Sequence, residues 1–213
     1  MALASEFFNC AKKPTRDYCQ FLFVGRLAPY KCPDVVIKAF ANSQTLRSQH
    51  KLIIAGDGPE MDALQKLVDE NGLTDQIEFT GWQSQEQVSH LMANSDVFVF
   101  PTIREVGGNV ILEAMSSGLP CIVPNYGGPS ELIDKTVGIK VELTDKDQLI
   151  NSYTEQMELL AGDSILREQL SKAARKKILQ NYDWNVKGKI IHRLYQDLLA
   201  STATSPAASM AKR

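Results

Sequence analysis

The sequence has no excess of charge of either sign that would identify a partner. Its 23 Lys and Arg residues are opposed by 25 Asp and Glu residues, for a net charge of −2 over 213 residues. A protein whose main partner is a nucleic acid usually carries a strongly basic surface, so we predict no nucleic-acid partner. A site for a phosphorylated ligand would therefore have to consist of a few well-placed cations.

Patterns for metal binding and membrane crossing are also missing. The four cysteines form no C-x-x-C pair and the three histidines lie far apart, so we predict no metal site. No apolar run approaches the roughly 20 residues that a membrane-spanning helix needs. Cysteines without a disulfide framework favour reduced thiols and a cytoplasmic location. Their positions are Cys10, Cys19, Cys32 and Cys121.

Short apolar runs alternate with amphipathic segments along most of the chain. The runs are nearly continuous, which is typical of strands covered on both faces, and residues with helical spacing fill the gaps. Strand and helix in regular succession predict right-handed crossovers, and therefore an α/β fold with one doubly wound parallel sheet of about six strands. The predicted strands are 20–25, 51–56, 76–81, 96–101, 120–124 and 137–142.

The last third of the chain changes character. From about residue 145 to residue 200 it holds three helical patterns with no strand between them, and we expect these additional C-terminal helices to pack across one side of the sheet. We predict one domain over residues 20–200, preceded by an N-terminal extension at 1–19. The small, polar segment 201–213 is predicted to be a disordered tail or an artificial addition.

Two loops follow the first two predicted strands, at the edge where an open α/β sheet binds its ligands. In GRLAPYKCPD, Arg26 comes directly after Gly25, and Lys31 lies just before a proline that can start a helix. Two such cations can hold an anion or can simply be solvated surface charges. In AGDGPE, Gly56 and Gly58 permit a tight strand-to-helix turn, and turn formation alone also explains them.

The loop after the third predicted strand, TGWQSQEQV, carries Gly81 and Trp82. Ser84 and Gln87 have the spacing of a capping box and predict the start of the next helix. The indole of Trp82 can either shelter a base or close the top of the hydrophobic core. The residue types alone favour the second role, closing the core.

The segment REVGGNVILEAMSSGLP places Glu105 and Glu113 on either side of a helix start. Gly107 and Gly108 present no side chain there, so a pyrophosphate can approach bare N–H groups. Glu113, one turn into the helix, could direct two oxygens at a vicinal diol such as ribose, and Glu105 could accept hydrogen bonds from sugar hydroxyls. Alternatively, Glu105 is a loop charge and Glu113 a salt-bridged helix residue.

Taken in order, the motifs GRLAPYK, AGDGPE, GW, REVGGNVILEAMSSGLPCIV and YGGPSELI resemble the C-terminal lobe of the family 4 retaining glycosyltransferases. Each motif is weak alone, but the ordered set is specific and extends over residues 20–200. The resemblance implies a Rossmann-like domain of a two-lobed enzyme. That enzyme would transfer a sugar from a nucleotide diphosphate sugar to an acceptor hydroxyl, retaining the anomeric configuration, without a metal or a separate cofactor.

The resemblance also implies a role for each site residue. Arg26 and Lys31 match the cations that hold the donor pyrophosphate and stabilise the departing phosphate, and Glu105 matches the acid at the donor sugar. These three are the implied catalytic residues. Glu113 matches the ribose contact, and Trp82 falls where the base packs. The remaining implied donor-binding residues are Gly25, Gly56, Gly58, Gly81, Gly107, Gly108, Asn109 and Val110.

The sequence departs from the family pattern in two places and in length. Glu-Val-Gly-Gly at 105–108 stands where the family often has Glu-x-Phe-Gly, which puts the shape of the sugar pocket in doubt. Cys32 stands where a glycine often follows the lysine. Because such enzymes are considerably longer, we expect this chain to be a donor-binding lobe that is inactive without its N-terminal acceptor-binding lobe.

Two other functions stay open on the same architecture. One is a binding module that recognises a nucleotide sugar and catalyses nothing. The other is a sugar-nucleotide epimerase, or a phosphorylase, in place of a transferase. The nucleotide base, the donor sugar and the acceptor leave no clear trace in the residue types, and the longer enzyme could associate with a membrane.

Overall fold

The computed structural model describes residues 16–203, and its strands form one parallel sheet. The strands are β1 (Gln20–Val24), β2 (Lys51–Ala55), β3 (Ile77–Gly81), β4 (Val97–Val99), β5 (Cys121–Pro124) and β6 (Gly138–Val141). They lie in the order β3-β2-β1-β4-β5-β6. Each strand falls within a predicted segment, so the prediction of a doubly wound parallel sheet is confirmed. Residues 1–15 and 204–213, with most of the predicted extension and tail, lie outside the described residues.

The centre of the sheet is apolar on both faces. Phe21, Leu22 and Phe23 follow one another in β1 and are all fully buried. Successive strand residues point to opposite faces, so three buried residues in a row require a cover on each face. In the parallel register, Phe21 lies opposite Leu52 of β2 and Val97 of β4. This two-sided burial is why the strands appear in the sequence as continuous apolar runs.

Helices connect the strands and cover both faces of the sheet. The strand order reverses between β1 and β4, so right-handed crossovers place the helices of the two halves on opposite faces. A short 3-10 helix, Pro29–Lys31, precedes the first α-helix. At the start of the fourth helix, Ser84 and Gln87 form the predicted capping box. The connecting helices are α1 (Pro33–Asn42), α2 (Gln44–Gln49), α3 (Met61–Glu70), α4 (Gln85–Ala93), α5 (Asn109–Ser116) and α6 (Gly127–Leu132).

Three further helices follow β6: α7 (Lys146–Gly162), α8 (Ser164–Asn181) and α9 (Trp184–Ala203). The expectation that they pack across one side of the sheet is wrong. Helix α7 packs on α1, whereas α8 packs on α5, which lies on the opposite face. Helix α9 contacts α8. In residues 16–203, no helix combines the length and the apolar character needed to cross a bilayer.

Candidate functional site

The candidate site lies where the strand order reverses, between β1 and β4. The connections from these two paired strands run in opposite directions, and the crevice between them is where doubly wound sheets bind ligands. The two loops are joined by hydrogen bonds to the carbonyl oxygen of Tyr30. The backbone N–H of Ile103 donates to it at 3.0 Å and the hydroxyl of Thr102 at 3.2 Å. The geometry therefore fixes the loop that carries Lys31 against the loop that carries Glu105.

Lys31 and Glu105 form an ion pair at this crevice. The Nζ of Lys31 lies 2.5 Å from the Oε2 of Glu105, and it lies 5.0 Å from the ring centroid of Phe100. The Oε1 of Glu105 accepts hydrogen bonds from the backbone N–H groups of Gly107 at 3.2 Å and Gly108 at 3.1 Å. Burial acts to raise the pKa of Glu105, but the bonds from Lys31 and the two amides outweigh it and lower the pKa below its usual value. The carboxylate is therefore ionised at neutral pH.

Glycines allow the chain to approach closely around the start of α5. Gly108 precedes the helix with a φ of +61°, a left-handed conformation that favours glycine. A Cβ at Gly128 would lie 2.4 Å from the carbonyl oxygen of Val106, so the GGP segment at 127–129 supports the Glu105 loop directly. Asn109 and Val110 are the first residues of α5, where backbone N–H groups have no intrahelical acceptor. The N–H groups of Asn109 and Val110 are thus available to an anion, whereas those of Gly107 and Gly108 already donate to Glu105.

Glu113 lies one turn into α5 and differs from Glu105 in its surroundings. Its side chain is partly buried, and burial raises its pKa. No hydrogen bond or ion pair to its carboxylate is found within residues 16–203, so the alternative of a salt-bridged helix residue is not supported. A partly buried carboxylate without a protein partner is well suited to accept hydrogen bonds from a ligand.

A cavity of ≈ 510 Å³ opens beside the Lys31–Glu105 ion pair, at the carboxyl ends of β1, β2 and β3. Arg26 lies on its wall as an exposed side chain, and Trp82 forms part of its rim. Trp82 is 74% exposed, so it does not close the top of the hydrophobic core. The site residues that line the cavity are Gly25, Arg26, Gly56, Gly58 and Trp82.

Gly56 and Gly58 hold the loop after β2 against the loop after β1. A Cβ added at Gly56 would lie 1.9 Å from the carbonyl oxygen of Gly25. A Cβ added at Gly58 would lie 2.3 Å from the carbonyl oxygen of Leu27. Gly81, at a φ of +67°, faces open space. The first two glycines therefore have a demonstrable structural role, the close approach of two loops.

The cavity and the ion pair are neighbours that meet at Phe100. A Cβ at Gly25 would lie 3.3 Å from the ring of Phe100, and the ammonium of Lys31 lies over the same ring, 5.0 Å from its centroid. Lys31, Glu105 and Glu113 do not themselves line the cavity. The structure thus brings the candidate residues to one edge of the sheet, as two adjoining groups.

Sequence reasoning missed two contributors to this site. The sequence predicts Phe100 only as part of an apolar strand, although its ring lies close to both Gly25 and Lys31. Its position at a strand end beside a proline was the available signal. Gln83 also lines the cavity, beside Trp82. Nothing in its residue type distinguishes it from an ordinary loop residue.

The described residues offer little for metal or thiol chemistry. Within residues 16–203, no three His, Cys, Asp or Glu side chains lie close enough together to hold a metal ion. Cys32 and Cys121 are buried and form no disulfide, and burial raises the pKa of both thiols. They are therefore protonated packing groups at neutral pH. Cys10 lies outside the described residues.

Comparison with known proteins identifies one family. The family model described as glycosyl transferases group 1 matches residues 8–177. The chain is 30% identical over 178 residues to alpha-D-kanosaminyltransferase of Streptomyces kanamyceticus, covering 83% of this chain and 45% of that protein. It is 31% identical over 190 residues to an Escherichia coli UDP-Gal:alpha-D-GlcNAc-diphosphoundecaprenol alpha-1,3-galactosyltransferase, covering 87% and 47%. The chain thus spans about half the length of the curated relatives it matches.

Solved structures share the fold. Sucrose-phosphate synthase from Thermosynechococcus elongatus superimposes with a TM-score of 0.75 at 24% identity, over 94% of this chain and 52% of that one. The Anabaena protein HepE, solved in complex with UDP-glucose, gives a TM-score of 0.72 at 22% identity, over 92% and 56%. At these identities the likeness shows the fold alone.

Proposed function

Because the chain belongs to the glycosyl transferases group 1 family, we propose that it is the donor-binding lobe of a retaining glycosyltransferase. The enzyme would transfer a sugar, of the hexosyl type, from a nucleotide diphosphate sugar to an acceptor hydroxyl. The observation that carries this proposal is the Lys31–Glu105 pair at the start of α5, adjoining the cavity of Arg26 and Trp82. Cations and bare amides suit phosphates, and carboxylates suit sugar hydroxyls.

Each part of the donor has a matching group in this arrangement. The exposed indole of Trp82 offers a stacking surface for the base, and the unpartnered carboxylate of Glu113 can accept hydrogen bonds from ribose hydroxyls. Arg26 and Lys31 would bind the diphosphate. Glu105 would accept hydrogen bonds from the transferred sugar.

The backbone completes the proposed donor site. Asn109 and Val110 would donate their amide N–H groups to the diphosphate, and Gly107 and Gly108 leave room for the sugar. Gly25, Gly56, Gly58 and Gly81 would form the close-lying backbone around the nucleotide. These four glycines would contribute through the shape of the backbone, because they have no side-chain groups that could bind the nucleotide.

The same groups suit the chemistry of transfer. As the glycosidic bond breaks, the electron pair leaves with the β-phosphate oxygen and negative charge grows there. The guanidinium of Arg26, the ammonium of Lys31 and the amides at the start of α5 would stabilise that charge, each by about 3 kcal/mol if it resembles an oxyanion-hole donor. Glu105 would hold the sugar while positive charge develops on it. Fixed cations can perform this role without a metal ion, and we propose a metal-independent reaction.

An acceptor-binding lobe is the partner that this function requires. The chain covers 45% of the kanosaminyltransferase and 47% of the galactosyltransferase, so the activity of those proteins need not reside in this part alone. Catalysis depends on holding donor and acceptor in one geometry. We therefore propose that this chain binds the donor and transfers no sugar by itself. The cytoplasmic location and the possible membrane association of the longer enzyme stay predictions.

Calorimetric titration of the chain with UDP, GDP and ADP tests the donor site. At least one of these nucleotides should bind, and Arg26→Ala and Lys31→Ala should each weaken it about tenfold or more, because each removes a charge-assisted hydrogen bond. Lys66→Ala is the matched control, since it removes an exposed cation from the surface of α3. Absence of binding at millimolar nucleotide, or unchanged affinity in both site variants, would reject the proposed site.

A second measurement concerns the reaction itself. In an enzyme that joins this lobe to an acceptor lobe, NMR of the product should show the anomeric configuration of the donor. Inversion would contradict the retaining mechanism. Release of a new nucleotide sugar without any acceptor would instead support an epimerase.

A further inference from the structure

The carboxylate of Glu105 is fully engaged by the protein itself. Lys31 contacts one oxygen, and the N–H groups of Gly107 and Gly108 donate to the other. The side chains of Lys31 and Glu105 are only 15% and 18% exposed, so water competes weakly for these bonds. Glu105 therefore lies in a small site built from one cation and two consecutive amides.

Such a set of donors is an anion-binding site. Consecutive backbone N–H groups next to a helix start bind phosphates and carboxylates, and an ammonium adds a full positive charge. Here the carboxylate of Glu105, which is part of the chain itself, occupies that site. Arg26 differs from Lys31, because it is exposed and no hydrogen bond or ion pair of its side chain is found within residues 16–203. Only one of the two candidate phosphate-binding cations is thus already occupied.

We propose that Glu105 is an internal anion, which holds Lys31 in the unliganded chain and must release it before a diphosphate can bind there. This inference rests on the proposed donor site. Binding of a complete donor would exchange partners: Lys31 would turn to the diphosphate, and Glu105 would turn to the hydroxyls of the sugar. A nucleoside diphosphate without a sugar offers Glu105 no new partner, so it would bind less well and leave more readily.

The electrostatics of the pair fit this role. Burial opposes the charge of Glu105, but the bonds from Lys31 and from the two amides outweigh burial and lower the pKa, so the carboxylate stays ionised at neutral pH. Its contact with the ammonium of Lys31 is therefore an ion pair, which another anion can displace.

Inorganic pyrophosphate is the probe that isolates this exchange, because it has neither a base nor a sugar. Its affinity can be measured by calorimetry or by ³¹P NMR titration for the wild-type chain, Glu105→Gln and Glu105→Ala. Glutamine keeps an oxygen for the two amides but loses the charge that holds Lys31, so affinity should rise about tenfold, within the range of a coupled ion pair. Alanine also frees the amides, so affinity should rise further.

Glu131→Gln is the matched control. It removes an exposed carboxylate from α6, the helix whose start supports the Glu105 loop, and this carboxylate is not the partner of Lys31. If the gain at Glu105 were only a change in the general electric field, Glu131→Gln would raise the pyrophosphate affinity equally, and that result would overturn the proposal. If Glu105 had a purely structural role, both of its variants would bind pyrophosphate more weakly than the wild-type chain, and that result would also overturn the proposal.

The outcome also separates this inference from the donor site itself. If the wild-type chain binds nucleoside diphosphates but neither Glu105 variant gains affinity for pyrophosphate, only the exchange is wrong. If neither the wild-type chain nor the variants bind any of these ligands, both the site and the exchange are wrong. Urea denaturation of each variant, run in parallel, shows whether it folds, and the milder glutamine change keeps the comparison possible if alanine unfolds the loop.

Discussion

Replacing Gly56 with alanine tests how closely the loop after β2 supports the loop that carries Arg26. A Cβ at this position would lie 1.9 Å from the carbonyl oxygen of Gly25, whereas real Cβ atoms essentially never come within 3.0 Å of another atom. The loops must therefore separate. The φ of +139° adds a strain of about 1–3 kcal/mol for any residue other than glycine.

The separation would also disturb two backbone hydrogen bonds, each worth about 1 kcal/mol. Gly25 N–H donates to Ala55 at 3.0 Å, and Gly56 N–H donates to Gly81 at 2.8 Å. We expect Gly56→Ala to lower the free energy of unfolding by about 3–5 kcal/mol, at the upper end for single substitutions. Arg26 would shift with its loop, so nucleotide affinity should fall as well.

Urea unfolding measures this loss, with Gly72→Ala as the matched control. Gly72 has a φ of +64° but nothing within 4 Å of an added Cβ. Its replacement should therefore show the strain of a positive φ without the clash, about 1 kcal/mol. If Gly56→Ala were no more destabilising than Gly72→Ala, the inferred contact between the two loops would be refuted.

Two further predictions concern the nucleotide. Because Trp82 is exposed, Trp82→Ala should change the free energy of unfolding by less than about 0.5 kcal/mol. In calorimetry with a nucleoside diphosphate, the same variant should lose about 1–3 kcal/mol of binding free energy, because the base no longer stacks on the indole. An equal loss of binding free energy with pyrophosphate, which has no base, would contradict stacking. Glu113→Gln should weaken nucleoside diphosphates through the lost ribose contact. The raised pKa of Glu113 means that the wild-type chain loses stability as the pH rises above 4.5 and through the raised value. In urea unfolding, Glu113→Gln should therefore be more stable than the wild-type chain at neutral pH and equally stable below pH 4.5. A gain in stability that persists in acid would show that the ionisation of Glu113 is not its cause.

The sheet could be predicted from the sequence because its strands are buried on both faces. Runs such as Phe21–Phe23 are apolar at every position, which few other structures explain. The packing of the C-terminal helices could not be predicted in the same way. The contacts of α7 with α1 and of α8 with α5 join residues far apart in sequence, and helical spacing indicates an apolar face without naming its partner.

The candidate residues could be named from the loops after the strands, but their mutual contacts could not. Lys31 and Glu105 are separated by 74 positions, and nothing in either loop indicates that they pair. For Trp82 the residue types favoured the core role, and its exposure shows that this reading was wrong. The ring of Phe100, which joins the cavity to the ion pair, followed from neither periodicity nor motif.

A crystal structure of this chain with a nucleoside diphosphate is the most direct test of the central claim, that cations and bare amides at one sheet edge form a site for a sugar carried on two phosphates. We expect the diphosphate between Arg26, Lys31 and the start of α5, with the base on Trp82 and the ribose at Glu113. A nucleotide bound at any other part of the surface, with the Lys31–Glu105 pair unchanged, would contradict it.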